Sequence, residues 1–213
     1  MMRDWDLYLV TDNRVYPGRS HVDEVEAAID GGIRVIQFRE KQMCDREMIA
    51  TGKVLRSLTS RAGVDLIINN RIDIALAVDA DGVHIGQDDM PVALARRLLG
   101  PDKILGASVS SVAEAKIAQR EGASYVAVSP VFSTSTKTDA PAPVGLEGLK
   151  TISKAVRVPV VAIGGINLEN LEVVIGAGAD SVAVVSAVVC AKNMTDATRE
   201  LRSRIESAKS RVS

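Results

Sequence analysis

Short β-rich runs alternate with stretches of helical apolar spacing along the chain. The runs are "DLYLV" (6–10), "RVIQF" (34–38), "DLIIN" (65–69), "DGVHI" (81–85), "KILGAS" (103–108), "SYVAVSP" (124–130), "VPVVAIG" (158–164) and "DSVAVVS" (180–186). Between them, segments such as "HVDEVEAAIDGG", "VAEAKIAQREGA" and "LENLEVVIGAGA" repeat apolar residues at helical intervals and carry glycine at their ends, a common helix stop. Several strands are almost continuously apolar, as parallel strands covered by helices are. Eight such units predict an α/β fold, a single-domain (β/α)8 TIM barrel over residues 1–213 with its active site at the C-terminal ends of the strands. An open doubly wound sheet uses the same units and is the main alternative.

A faint echo runs through alternate units. "GGIRVIQ", "DADGVHIG", "GASYVAVS" and "GADSVAVVS" precede or form the second, fourth, sixth and eighth strands, each a small or acidic turn followed by Val-rich alternation. The pattern suggests a barrel built by duplication.

Composition narrows the functional classes. With 46% apolar but 3% aromatic residues, the core is expected to be Val, Ile, Leu and Ala. A net charge of −1 and few aromatics give no reason to expect nucleic acid as a partner. No apolar stretch approaches a membrane span, so no membrane partner is expected. The opening "MMRDWDLYLVTDNR" has no long apolar stretch or small-residue cleavage site, and Cys44 and Cys190 form neither a disulfide framework nor a metal motif. A reducing cytoplasm is the expected location. The sequence allows a homo-oligomer without specifying one.

Polar residues collect at the predicted C-terminal strand ends. In order, these ends carry Thr11-Asp12, then Gln37, Arg39 and Lys41, then Asn69-Asn70, the stretch 86–89, and Ser108 with Ser110. They finish with the loop "SPVFSTSTKTDAPAPVG", the turn "IGGIN" and Ser186. Gln37, Arg39 and Lys41 lie two apart, so an extended strand sends them to one face. Inward-facing cations are costly without an anion. A unit charge pair at ~4 Å recovers about 4 kcal/mol before desolvation at an effective dielectric near 20. Two anion sites follow. One is the "AIGGIN" and "VVSAV" pair ending the seventh and eighth strands, the usual monophosphate site of this architecture, where Gly164 and Gly165 admit close backbone approach. The other is Gln37, Arg39 and Lys41 opposite Asn69 and Asp89, suited to a diphosphate with Mg²⁺. The plain alternatives are a tight turn for the first and an Arg39–Asp89 ion pair without metal for the second.

Together these motifs resemble the thiamine phosphate synthase family. "QFREK", "INN", "ADGVHIGQDD", "GASVS", "VSPVFSTSTK", "GLEGL", "VVAIGGIN" and "GADSVAVVSAV" appear in family order over essentially the whole chain. The resemblance implies an enzyme, a transferase, with two phosphorylated small-molecule substrates: an aminopyrimidine-methyl diphosphate and a thiazole monophosphate. It implies that Gln37, Phe38, Arg39, Glu40, Lys41, Asn69, Ser108 and Lys137 hold the pyrimidine diphosphate. Thr134, Ser135, Thr136, Gly165, Val185 and Ser186 would hold the thiazole phosphate, with Mg²⁺ at Asn70 and Asp89. Asn70 departs from the family, which usually has aspartate there, and one negative charge is gone.

The implied chemistry is substitution in which diphosphate leaves first and the thiazole nitrogen attacks with its own lone pair. Arg39, Lys41, Lys137 and Mg²⁺ would neutralise the leaving group, and no general base is needed, in keeping with a rim without histidine. The related thiazole tautomerase is similar in fold but has a histidine just after the fifth strand, where this chain has Ser110. A barrel that binds thiamine precursors as a sensor is a further alternative. His21, before a helix, is expected to be exposed, and His84 to be packed or hydrogen-bonded. Cys44 reads as an ordinary thiol, Met43 and Met48 as packing residues, and the tail from 197 as a final amphipathic helix.

Overall fold

The computed structural model of the chain describes residues 5–134, 136 and 142–211. Eight parallel strands close into a barrel in chain order: β1 (Leu7–Val10), β2 (Val35–Phe38), β3 (Asp65–Asn69), β4 (Gly82–Ile85), β5 (Ile104–Val109), β6 (Tyr125–Val128), β7 (Val160–Ile163) and β8 (Ser181–Val184). The ring shuts where β8 pairs with β1, with Leu7 opposite Val182. The open doubly wound alternative is thereby excluded.

Helices α1 (His21–Asp30), α2 (Asp45–Ala62), α3 (Ile72–Ala77), α4 (Val92–Leu99), α5 (Val112–Arg120), α6 (Gly145–Ala155) and α7 (Leu171–Gly176) each bridge successive strands. Two helices follow the last strand rather than one: a single turn, α8 (Ser186–Val189), and the long α9 (Met194–Ser210). The sequence predicts the long one. It buries Leu201, Ile205 and Ala208 along one stripe. Starts are marked by side-chain caps, with Ser20 and Asp23 forming a reciprocal capping box at α1 and Ser111 capping α5.

The sequence echo has a local cause. Gly32, Asp79, Gly122 and Gly178 all have positive φ, and each closes a helix shortly before an even-numbered strand. In each case the next residue's N–H returns to a carbonyl five residues back, as in Ala123 N to Ala118 O, 2.9 Å. Gly63 makes the same stop before β3. The echo therefore marks helix-to-strand turns in general.

Alternation along the strands sorts two apolar layers. Leu7, Leu9, Ile36, Phe38, Leu66 and Ile68 point outward into the layer under the helices. Tyr8, Val10, Val35, Ile67, Tyr125, Ala127, Val161 and Ala183 point inward. Trp5 seals the lower end of the barrel. Its ring lies 5.5 Å from those of both Tyr8 and Tyr125, and its Nε1 donates to Asp65 Oδ2 at 2.8 Å. Gly106 of β5 stands opposite Tyr125 in the sheet, and a Cβ there would run into the Tyr125 ring and hydroxyl. The missing side chain is the space the tyrosine occupies.

A second buried cluster lies outside the barrel wall, between α1 and the upper ends of β1 and β2. His21 is buried, contrary to the exposure its position suggests, because α1 packs it edge-on against Phe38 with ring centroids 4.8 Å apart. Its Nδ1 lies 2.9 Å from Thr11 Oγ1 and its Nε2 lies 3.0 Å from Glu40 Oε2. Glu24, fully buried beside it, accepts from the Asp12 N–H at 3.2 Å, while its other oxygen has no partner. Burial pushes the Glu24 carboxyl up to about 8.

Two outcomes are expected from this packing. Gly106→Ala should destabilise the fold by about 2 kcal/mol or more in urea unfolding, since the buried Tyr125 ring has nowhere to move. For Glu24, the unfolded chain releases a proton near its ordinary value of 4.5, whereas the folded chain keeps it up to about 8. Stability contributed by the protonated group is thus lost as pH rises through that window. Glu24→Gln should remove this slope, gaining on the wild type between pH 5 and 8 on the order of a few kcal/mol, as read by Tm or urea midpoint against pH.

Candidate active site

A cavity of about 300 Å³ opens at the C-terminal ends of the strands. Its walls come from all eight units. Gln37, Arg39 and Lys41 all line it, as expected from their spacing, so the inward face of β2 continues past the strand end. Gln37 is buried, donating from Nε2 to Tyr8 Oη at 2.9 Å and accepting from Asn69 Nδ2 at 2.9 Å.

Phe38 and Glu40, the alternate residues, face the other way. Phe38 is buried under α1 against His21, and Glu40 is buried with its carboxylate on His21. Neither side chain lines the cavity. Glu40 acts on the site through backbone. Its Oε1 accepts the N–H groups of Lys41 at 2.5 Å and Gln42 at 2.6 Å, holding the turn that carries Lys41. Burial alone would raise the Glu40 carboxyl, but His21 and these N–H groups outweigh it and hold it below the ordinary range.

Arg39 does not pair with Asp89. Its guanidinium meets Asp12, at the end of the neighbouring strand β1. Asp12 also takes a bidentate bond from Arg14, Nε to Oδ1 at 2.9 Å and Nη2 to Oδ2 at 2.8 Å. Here too burial would raise the carboxyl, yet the Arg14 bond and nearby Arg39 hold it below the usual value. One carboxylate thus serves two guanidiniums. Thr11 completes this wall by accepting the Arg39 N–H at 3.2 Å. Thr11 and Asp12 stand at the first strand end in the sequence, but nothing there signals which cation they hold.

Asn70 and Asp89 both line the mouth. Asn70 sits at φ 64°, a left-handed position that asparagine adopts readily, and donates from Nδ2 to Asp89 Oδ1 at 2.8 Å. The Gly86 N–H holds Asp89 Oδ2 at 2.6 Å. Ser108 lines the floor beside His84, whose two ring nitrogens lie 2.9 Å from Ser108 Oγ and 2.9 Å from Tyr125 Oη. A histidine is therefore present at the cavity floor, hydrogen-bonded as expected from its strand position but overlooked as a lining residue. Ser110 turns away to Glu114.

The far wall brings together Thr134, Thr136, Gly165, Val185 and Ser186. Gly164 and Gly165 have φ 107° and 65°, and the β6 loop lies directly on them. A Cβ on Gly165 would come within 2.5 Å of the Ser133 carbonyl, and one on Gly164 within 2.6 Å of Pro130 Cβ. Phe132 N–H to Gly164 O, 3.0 Å, ties loop and turn together. Ser135 and Lys137 lie outside the described residues. Cys44 and Cys190 are exposed free thiols, Met48 is buried, and Met43 packs at the core's edge. No helix among the described residues is long and apolar enough to cross a membrane.

The architecture alone is widely shared. A 3-hexulose-6-phosphate synthase matches at TM-score 0.66 with 17% identity, a likeness of fold only. Other comparisons reach further. The family model described as thiamine monophosphate synthase matches residues 7–188. A thiamine-phosphate synthase of Chloroflexus aurantiacus is 57% identical over 95% of this chain and 93% of its own length. One from Moorella thermoacetica is 48% identical over 98% and 99%. The solved thiamine phosphate pyrophosphorylase from Pyrococcus furiosus superposes with TM-score 0.89 at 44% identity, covering 96% of this chain and 97% of that one. Matched by that family model over residues 7–188, and by these relatives at 44% identity or more over nearly its full length, the chain belongs to the thiamine monophosphate synthase family of transferases.

Proposed function

We propose that the chain is a thiamine phosphate synthase. It joins 4-amino-2-methyl-5-(diphosphooxymethyl)pyrimidine to 4-methyl-5-(2-phosphooxyethyl)thiazole, releasing diphosphate, or to the carboxylated form of that thiazole, releasing diphosphate and carbon dioxide. The observation that carries this reading is the shared cavity. Arg39 and Lys41 stand on one wall, and Gly164, Gly165 and Ser186 stand on another. A single mouth thus offers separate places for a diphosphate and a monophosphate.

Gln37, Arg39, Lys41, Asn69 and Ser108 surround the pyrimidine diphosphate in this reading, joined by Lys137. The thiazole phosphate rests on Thr134, Thr136, Gly165, Val185 and Ser186, with Ser135 completing the loop. The bond between the pyrimidine methylene and the diphosphate oxygen breaks first, its electron pair leaving with diphosphate. The aminopyrimidine donates electrons to the cation that remains. With the plain thiazole, the ring nitrogen then forms the new C–N bond with its lone pair, and no proton changes hands. The residues' contribution is to stabilise negative charge as it develops on the leaving group and to align the nucleophile. His84, hydrogen-bonded through both ring nitrogens, is not needed as a base, because the thiazole nitrogen attacks without losing a proton.

The Asn70 carboxamide and the Asp89 carboxylate are hard oxygen donors at the mouth and suit Mg²⁺. Among the described residues no group of three or more His, Cys, Asp or Glu converges to hold an ion unaided. Such an ion would rest largely on substrate oxygens and water, and when bound it would supply charge neutralisation at the diphosphate. Asn70, by hydrogen-bonding Asp89, holds that carboxylate in place without adding charge.

Incubation of both substrates with Mg²⁺ should yield thiamine phosphate and diphosphate in equal amounts. Thiazole isomerisation alone would indicate a tautomerase, and tight binding without turnover a sensor. Lys41→Ala should lower kcat, or raise KM for the diphosphate substrate, by about 10- to 100-fold, leaving KM for the thiazole phosphate unchanged. Unaltered kinetics toward both substrates would refute the electrostatic assignment. Asn70→Asp, which keeps the backbone tolerance for left-handed φ, should lower the Mg²⁺ concentration for half-maximal activity several-fold, with the same shift in metal binding by calorimetry.

A further inference from the structure

Six polar side chains cross the cavity floor in an unbroken series. Asn69 Nδ2 donates to Gln37 Oε1 at 2.9 Å, and Gln37 Nε2 donates to Tyr8 Oη at 2.9 Å. Tyr8 and Tyr125 hydroxyls are 3.0 Å apart, Tyr125 Oη lies 2.9 Å from His84 Nδ1, and His84 Nε2 lies 2.9 Å from Ser108 Oγ. We propose that this series has one proton direction, in which Tyr8, Tyr125 and His84 are positioning residues that present Ser108 to a bound anion as a hydrogen-bond donor. The assignment of Ser108 to a diphosphate rests on the function proposed above.

The direction follows from counting protons. Each tyrosine has one hydroxyl proton, a neutral imidazole one N–H, and an amide two N–H groups and one acceptor oxygen. Tyr8 accepts from Gln37, so its own proton goes to Tyr125. Tyr125 must then donate to His84 Nδ1, placing the imidazole proton on Nε2, where it is given to Ser108. The serine oxygen accepts, and its own proton is directed to the cavity. The reverse order requires both amides to turn over, leaving an Asn69 N–H without a partner in place of its oxygen. As placed, the unpartnered atom is Asn69 Oδ1. An orphaned buried acceptor is less costly than an orphaned donor.

Three features keep the series intact. Tyr8, Tyr125, Gln37 and His84 are all buried, so water does not compete for the bonds. Burial also pushes both tyrosine hydroxyls well above their ordinary range, so each keeps its proton. Gly106 lies between His84 and Tyr125 in the sheet register, and its bare backbone lets the two rings stack with centroids 5.6 Å apart.

The chain holds only two histidines, which makes nitrogen NMR of the full-length protein a direct test. In mildly alkaline buffer the His84 signals, assigned by their loss in His84→Asn, should show a protonated Nε2 and a bare Nδ1. A proton on Nδ1, or averaging between the two tautomers, overturns the proposal. The second arm measures binding of inorganic diphosphate by calorimetry. Tyr125→Phe should weaken it five- to tenfold by releasing the tautomer, as should Ser108→Ala, while Tyr125→Phe in the Ser108→Ala background should add nothing. Equal Tyr125→Phe losses in both backgrounds would mean a merely structural tyrosine and refute the role. Absence of diphosphate binding by the unsubstituted chain would remove the functional reading instead, and the proton direction would then be decided by the nitrogen spectrum alone.

Discussion

Every second side chain of a closed sheet must enter a tube of limited width, and the rest of this structure follows from how that space is filled. At the lower end it is filled with rings, Trp5, Tyr8 and Tyr125. At the upper end the inward positions turn polar, and Gln37, Asn69, His84 and Ser108 gather around one opening. Sheet parity makes this grouping obligatory: a one-residue slip in β2 would send Gln37 and Arg39 under α1 and bring Phe38 into the cavity. Parity likewise separates residues adjacent in sequence, so Glu40 anchors backbone outside the wall while Lys41 faces the cavity.

The Arg39 and Lys41 wall is stabilised from behind rather than from across the cavity. Asp12 is shared by Arg14 and Arg39, and Glu40 bridges His21 and the Lys41 turn. A carboxylate divided between two guanidiniums limits their repulsion while Arg39 and Lys41 keep to one wall of the cavity. His21 joins the two halves of this support, reaching Thr11 on one side and Glu40 on the other. Ordered counter-charges of this kind need little rearrangement when an anion arrives, which is how preorganised electrostatics gain their effect.

Much of the barrel could be read from the chain because its strand signals are local. "DLIIN" is the strand Asp65–Asn69 without change, and every other run contains its strand or overlaps all but its last residue. Helix extents were less legible: the segment 168–179 contains only the helix Leu171–Gly176, because the loop before it takes its own turn at Asn167 and Asn170. At the site, the two-residue spacing of Gln37, Arg39 and Lys41 was sufficient to group them. The partner of Arg39 was not legible, since Asp12 and Asp89 are both carboxylates at strand ends. Neighbourhood decides between them: β1 is bonded to β2, while β4 lies two strands away. The burial of His21 depends on Phe38 and Glu40, contacts made only when α1 folds back over β2.

The ring-filled lower end has a further consequence. With Trp5 packed between Tyr8 and Tyr125, rings close the lower end of the barrel among the described residues, and the cavity opens at the other end. Were two molecules to share such a cavity one beneath the other, the lower would have to enter first and leave last.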